Sequence, residues 1–127
     1  MKPHEWIEKV LNQKPSEFGV RVAELLNHIF LGIHHVQGDL SRADFTNERW
    51  IRICHYTGSN GTDFATYDGD TLTRLVVAAH KMNIRVAING AAYQYIWISF
   101  AQVDRRGFFA DRHPTLDENI VKIEGGR

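Results

Sequence analysis

The feature that most constrains this chain is a helical repeat followed at once by two alternating runs, over residues 68–103. Four apolar residues at helical spacing predict a helix over residues 70–82 with one apolar side: Leu72, Leu75, Val76 and Ala79. Asp70 is the predicted N-cap, because its carboxylate can accept hydrogen bonds from the first backbone N–H groups. Asn83 is predicted to end the helix in the left-handed conformation.

The two alternating runs predict a β-hairpin with Asn89-Gly90 as its turn. The first run places three aliphatic residues on one face: Ile84, Val86 and Ile88. A two-residue turn would join them with Tyr93, Tyr95 and Trp97. A turn one residue longer would join them with Ile96, Ile98 and Phe100, because a slip of one residue exchanges the faces. We favour the longer turn, since it gives the helix one face made of aliphatic residues and Phe100.

The segments before this stretch predict two helices and a first strand pair. Residues 3–13 and 16–32 carry apolar residues at helical spacing. Trp50–Tyr56 alternates as a strand, and a turn after it leads to a short returning strand at 64–67. Residues 37–46 are polar and contain several turn formers, so we expect an irregular connection there.

The predicted fold is α+β, with a four-stranded, mostly antiparallel sheet of two hairpins and a central helix packed on one face. Two N-terminal helices precede the sheet. A capping box at Thr115 and Glu118 starts a short C-terminal helix. The 127 residues suffice for one domain, with a helical part at 1–37 and the sheet and helix elements at 48–122.

One question about the predicted sheet bears directly on function, since the central helix can cover only one of its faces. The other face would present aromatic and arginine side chains: Trp50, Arg52, Tyr56, Arg85, Tyr93, Tyr95 and Trp97. In one interpretation the N-terminal helices cover these side chains, which then form ordinary core. In the other, the face is an open platform for a ligand, a nucleic-acid base or a partner protein. Self-pairing of this face would give a two-fold homodimer.

Charge and cysteine content restrict the class of protein. The 15 basic and 15 acidic residues give a formal net charge of zero, so we expect no general attraction to nucleic acid or to an anionic membrane. A nucleic-acid-binding module is therefore a secondary alternative. The single cysteine, Cys54, excludes an internal disulfide and fits a reducing cytoplasm. We expect a cytoplasmic protein without a signal peptide or a membrane-spanning segment.

The histidines and the cysteine predict neither a metal site nor a thiol enzyme. Cys54 and His55 are neighbours on a predicted strand, so they face opposite sides and cannot form a catalytic dyad. His34 and His35 are adjacent, and we expect their side chains to point in different directions. No cysteine or carboxylate stands beside them at the close spacing of a zinc site. We expect no metal and no cofactor.

The enzymatic alternative rests on residues near the start of the central helix. Because strand ends would meet a helix N-terminus there, a small hydrolase or a phosphate-processing enzyme could use His55, Asp63, Asp68 or Asp70. Helix capping accounts for the two aspartates nearest the helix without any chemistry. A basic cluster that includes Arg105 and Arg106 is either a solvated loop or a phosphate or carboxylate contact beside the aromatic face.

The C-terminal half carries a pattern that resembles a known group of proteins. The pattern consists of Tyr67–Val76 (YDGDTLTRLV), Ala79-His80, Ile84–Val86 and Arg112–Leu116 (RHPTL). It resembles small uncharacterised proteins carried by bacterial phages and other mobile elements, including gene cassettes. The resemblance implies a bacterial cytoplasmic accessory protein that acts by binding a host factor. It supplies no catalytic residue to carry over.

Together these patterns favour a non-enzymatic binding protein over an enzyme. We expect its partner to be a protein, a small molecule or a second copy of the chain. The predicted binding residues lie on the aromatic face and in the basic loop after it: Trp50, Arg52, Arg85, Tyr93, Tyr95, Trp97, Arg105 and Arg106.

Overall fold

The computed structural model describes residues 1–36, 38–56, 69–92 and 95–103. In these ranges the helices are α1 (Pro3–Val10), α2 (Glu17–Phe30) and α3 (Gly69–Lys81). The strands form a single sheet and are β1 (Gly38–Asp39), β2 (Trp50–Tyr56), β3 (Ile84–Ala92) and β4 (Tyr95–Gln102). Short 3-10 helices lie at Ile33–His35 and Leu40–Arg42. The predicted α+β class with a four-stranded antiparallel sheet is confirmed.

The strands follow the order β1-β2-β4-β3, and every neighbouring pair is antiparallel. β4 is therefore central, although it is the last described strand in the chain. Strand β1 was not predicted. Gly38 and Asp39 pair with His55 and Cys54, although an irregular connection was expected in this segment. The strand predicted at 64–67 lies outside the described residues.

The β3–β4 hairpin has the predicted faces but not the predicted turn. The aliphatic residues of β3 lie opposite those of β4, as the longer turn requires. Asn89 and Gly90, however, remain in β3 and lie opposite Trp97 and Ile96. The register shifts only between Gly90 and Ala92. The turn prediction at Asn89-Gly90 is therefore wrong, because the pairing continues through it and the irregularity falls after it.

Alternation along the strands gives the sheet a helix-covered face, formed by Ile51, Ile53, Ile84, Val86, Ile88, Ile96, Ile98 and Phe100. α3 packs against β3, and α2 packs against both α3 and β2. The ring of Phe30 on α2 contacts the ring of His55 on β2, with 5.5 Å between their centroids. α1 packs on α2. The N-terminal helices thus share the face of α3 and do not cover the opposite face.

Local capping chemistry fixes both ends of α2. The Ser16 hydroxyl accepts a hydrogen bond from the Gly19 N–H at 2.9 Å and so satisfies a backbone donor in the first turn. Leu31 follows the helix in the left-handed conformation, with φ of 56°. The Asn27 side chain then accepts from the Ile33 N–H at 2.9 Å. The chain turns sharply at this point and leads toward β1.

The ends of α3 agree with the sequence at one end only. The helix begins at Gly69, so Asp70 lies inside the first turn and its prediction as the N-cap is wrong. Its carboxylate instead pairs with the Arg74 guanidinium one turn later, at 3.3 Å. Asn83 has φ of 57°, which confirms the predicted left-handed exit.

Side chain-to-backbone hydrogen bonds hold the N-terminal helices to the loop before β2. The Gln13 side chain accepts from the Phe45 N–H at 2.8 Å, and the Ser16 hydroxyl donates to the Asn47 carbonyl at 2.7 Å. α2 lies so close to this loop that a Cβ on Gly19 would collide with the Phe45 carbonyl oxygen. These contacts set the position of α2 over the sheet.

Several predicted features lie outside the described residues. They are the turn that precedes 64–67, the C-terminal helix from Thr115, and the site residues Asp63, Asp68, Tyr93, Arg105 and Arg106.

Candidate functional site

The sheet face opposite the helices is the candidate site, and we call it the Arg/Trp face. Four large side chains from three strands define it: Trp50, Arg52, Arg85 and Trp97. The hydrophobic core that joins the helices to the sheet contains neither tryptophan. Arg52 is exposed, whereas the other three side chains are half-buried. The strands therefore bring together four of the eight predicted binding residues.

The best-defined contact on this face is between Arg52 and Trp97. The guanidinium carbon of Arg52 lies 4.5 Å from the centre of the Trp97 ring, a cation–π distance. Arg52 is opposite Ser99 in the β2–β4 register, so it reaches Trp97 diagonally across the strand pair. At an exposed site such a contact contributes about 0.5–1 kcal/mol. Its main consequence is that it favours one position of a long cationic side chain.

Small residues lie between the large ones. Ala101 has Trp50 on one neighbouring strand and Arg85 on the other. Ala87 and Ser99 also face this side, and all three small residues are at most 5% exposed. A partner would therefore contact mainly the surrounding aromatic rings and guanidinium groups rather than the small residues between them.

The charge on the described part of this face is positive. Arg52 and Arg85 lie on it, against one acidic residue of the described strands, Asp39 on β1, which is opposite Cys54 and pairs with Arg42 at 3.1 Å. Guanidinium groups bind carboxylates and phosphates through two parallel hydrogen bonds. The arrangement therefore suits an anionic partner that also offers a flat or apolar surface.

The remaining predicted binding residues are described only in part. Tyr95 opens β4, and its backbone pairs with that of Tyr56 on β2. Tyr93, Arg105 and Arg106 lie outside the described residues, so their predicted roles stay predictions.

Cys54 and His55 occupy opposite sides of β2, which confirms that they cannot form a dyad. Cys54 is opposite Trp97, whereas His55 is opposite Ile96 and is fully buried. Burial raises the pKa of the Cys54 thiol, and the nearby Asp39 carboxylate raises it further against the lowering effect of Arg42. The thiolate, which is the reactive form, is therefore disfavoured at neutral pH.

The histidine pair departs from its predicted geometry. The rings of His34 and His35 lie 4.0 Å apart between centroids, so the expectation that they point apart is wrong. A 3-10 helix at this point, rather than an α-helix or a strand, brings the two side chains together. Within the described ranges, no group of three or more histidine, cysteine, aspartate or glutamate residues is placed to hold a metal ion.

The enzymatic alternative gains no assembled site from the described residues. His55 is buried on the helix-covered face, and Asp70 is exposed and paired with Arg74. The other two residues of that hypothesis, Asp63 and Asp68, lie outside the described ranges.

Sequence reasoning missed the groove between α2 and α3. Its volume is about 590 Å³. The residues that line it come from α2, from α3 and from the position just after α3: Glu24, Leu25, His28, Ile29, Thr73, Arg74, Val77, Ala78, Lys81 and Met82. One signal was present in the sequence, since Val77 interrupts the polar side of α3 and is 50% exposed. A side-by-side arrangement of α2 and α3, however, cannot be inferred from either helix alone.

The chain matches no protein-family model, no curated protein and no solved structure. Its resemblance to mobile-element proteins therefore stays a prediction. Among the described helices, none is both long and apolar enough to cross a membrane.

Proposed function

We propose that this protein is a binding protein whose Arg/Trp face takes an acidic segment of another protein. The observation that carries the proposal is the stack of Arg52 on Trp97 at 4.5 Å, on the sheet face that the described helices leave uncovered. Tryptophan and arginine are, with tyrosine, the residues enriched among those that dominate binding energy at protein interfaces. A cytoplasmic location and a role in binding a host factor, as the mobile-element resemblance implies, belong to the same proposal.

The stacked arginine explains why an acidic partner fits. A guanidinium placed over a ring face keeps N–H donors that can meet carboxylate oxygens. The stack also restricts the Arg52 side chain before a partner arrives, so less conformational entropy is lost on binding. The tryptophan rings supply apolar contact area beside the charge.

The same charges argue against the other partners considered from the sequence. Pairing this face with its own copy would bring two faces of net positive charge together, and like-charge contacts across an interface are unfavourable. Nucleic acid would need many phosphate contacts for affinity, and the chain as a whole has no net positive charge.

A fluorescence-anisotropy titration tests the proposal. The probe is a labelled synthetic peptide of alternating glutamate and aromatic residues, with a glutamine-for-glutamate peptide and a labelled oligothymidylate as comparison probes. We expect the acidic peptide to bind best, and Arg52→Gln to weaken it about tenfold, which corresponds to ~1.4 kcal/mol. The matched control is Lys9→Gln, which removes an exposed positive charge on α1 and should leave binding unchanged.

Two results would overturn the proposal. In one, Arg52→Gln binds the acidic peptide as the wild type does, or the glutamine peptide binds equally well. In the other, the oligonucleotide binds more tightly than the acidic peptide, which would point to nucleic acid instead.

A further inference from the structure

The groove between α2 and α3 has an apolar floor between two antiparallel helices. The Arg21 guanidinium on α2 donates to the Met82 carbonyl just beyond α3. Farther along α2, His28 and Ile29 line the groove together with Thr73 and Arg74 near the start of α3. The two helices therefore run in opposite directions. At a rise of 1.5 Å per residue, Arg21 to His28 spans about 11 Å of α2, and Arg74 to Met82 spans about 12 Å along α3, so the two segments have nearly the same length.

The two rims of the groove carry opposite charges at the same level. Glu24 stands on the α2 rim and Lys81 on the α3 rim, both near the end that Arg21 and Met82 close. Both charged residues are exposed. Halfway along the α3 rim, Val77 exposes half of its side chain, a large fraction for an aliphatic residue that faces a groove.

We propose that this surface binds a second copy of the chain, so that α2 and α3 of one protomer pack against α2 and α3 of the other. A two-fold axis parallel to the helices places each α2 over the partner's α3. Each Glu24 then faces a Lys81 across the interface, and the pair occurs twice because the contact is isologous. The same operation brings each Val77 over the apolar floor of the opposite groove.

The size of the surface fits a weak, reversible dimer. Helices of 14 and 13 residues are each about 20 Å long, and packed helices lie about 8–10 Å apart. Such a two-helix layer is about 20 Å wide and covers about 400 Å² on each protomer, so the total of about 800 Å² falls in the range of weak, transient contacts below about 1,200 Å². Because the helices lie on the opposite side of the sheet from the Arg/Trp face, the dimer would present two Arg/Trp faces outward.

Sedimentation equilibrium over a concentration series, with charge exchange between the rims, tests this dimer. We expect the wild type to dimerise with a micromolar dissociation constant. Glu24→Lys and Lys81→Glu alone should each raise that constant at least about tenfold, because each puts like charges in contact twice. The double variant with both changes restores two attractive pairs and should return to within about threefold of the wild type. All of these positions are exposed, so thermal unfolding should confirm that each variant stays folded.

Control variants separate this dimer from other associations. Val77→Glu should abolish it, whereas Glu48→Lys, an exposed charge reversal away from the groove, should have no effect. A wild type that remains monomeric at the highest concentration would overturn the inference. So would a dimer that Val77→Glu leaves intact, or one that only Trp97→Ala disrupts, since that would place the contact on the Arg/Trp face. None of these outcomes depends on whether an acidic peptide binds.

Discussion

The two faces of the sheet are built from alternate residues of the same strands, yet they differ in almost every respect. On the helix-covered face, Ile51, Ile53, Ile98 and Phe100 are at most 1% exposed and pack into one continuous core. On the Arg/Trp face, the large side chains are partly exposed and the buried residues between them are small. Neighbouring residues of a strand point to opposite sides. A substitution at one position should therefore lower stability, and a substitution at the next should weaken binding. β4 offers the clearest test.

The largest effect is expected at Ile98, which is fully buried in the centre of the helix-covered face. Ile98→Ala removes buried methyl groups and leaves a cavity, so it should lower the free energy of unfolding by ~2–5 kcal/mol. Denaturant unfolding measures this, with Ile98→Val as a control that should cost only ~0.5–1.5 kcal/mol. An Ile98→Ala protein as stable as the wild type would show that the face assignment of β4 is wrong.

The adjacent residue, Trp97, should respond in the opposite way. Its ring is half-buried and stands outside the main core, so Trp97→Ala should cost ~1–2 kcal/mol and leave a cooperatively folded protein. Binding of the acidic peptide should be lost in the same variant. If Trp97→Ala instead destabilises the domain as much as Ile98→Ala, the two faces do not differ and the Arg/Trp face is ordinary core.

Substitution of Arg52 should weaken binding with an even smaller change in stability than substitution of Trp97. Its guanidinium contacts one ring at an exposed site, so Arg52→Gln should lower the free energy of unfolding by no more than about 1 kcal/mol. Retained stability together with weakened peptide binding would mark a residue that serves binding alone. A loss above ~2 kcal/mol would assign it a structural role instead.

The last prediction concerns Cys54 and needs no substitution, since it is tested by the rate at which the thiol is labelled. The residue faces the Arg/Trp side but is only 6% exposed, and burial raises its pKa. At neutral pH a thiol-specific reagent should label the native protein far more slowly than the urea-unfolded protein. The native rate should rise as the pH passes above the ordinary pKa of cysteine, near 8.5, because thiolate forms only there. Rapid labelling of native protein at pH 7 would contradict the burial of Cys54.

Local patterns in the sequence predicted the parts of the fold that depend on neighbouring residues. Alternation between Ile84 and Phe100 placed the aliphatic residues on one face, and Asn83 marked the end of α3. The same kind of signal misled at Asn89-Gly90, where pairing with β4 outweighed the local turn preference. The strand at Gly38–Asp39 was missed because two residues are too short to show any period.

The positions of the site residues relative to one another depend on long-range strand pairing, which local sequence patterns do not show. The sequence supplied Arg52 and Trp97 as members of one face, but their stack joins residues 45 positions apart on strands that the sequence did not show to be neighbours. Nor did it show which face α2 would cover. That choice depends on long-range contacts such as the hydrogen bond between the Ser16 hydroxyl and the Asn47 carbonyl.

The central position of β4 has a consequence for how the chain is made. β2 is complete at Tyr56, but β4, which lies beside it, ends only at Gln102. At roughly 5–20 residues per second of synthesis, β2 waits several seconds for this neighbour. β3 emerges in the meantime with its own pairing edge toward β4 still open. A nascent chain that stops before Tyr95 therefore leaves unpaired the edges of β2 and β3 that face β4, next to the aliphatic residues of both strands, a surface prone to aggregation. Among the described strands β4 is the last to be synthesised, so the sheet can be completed only once it has emerged.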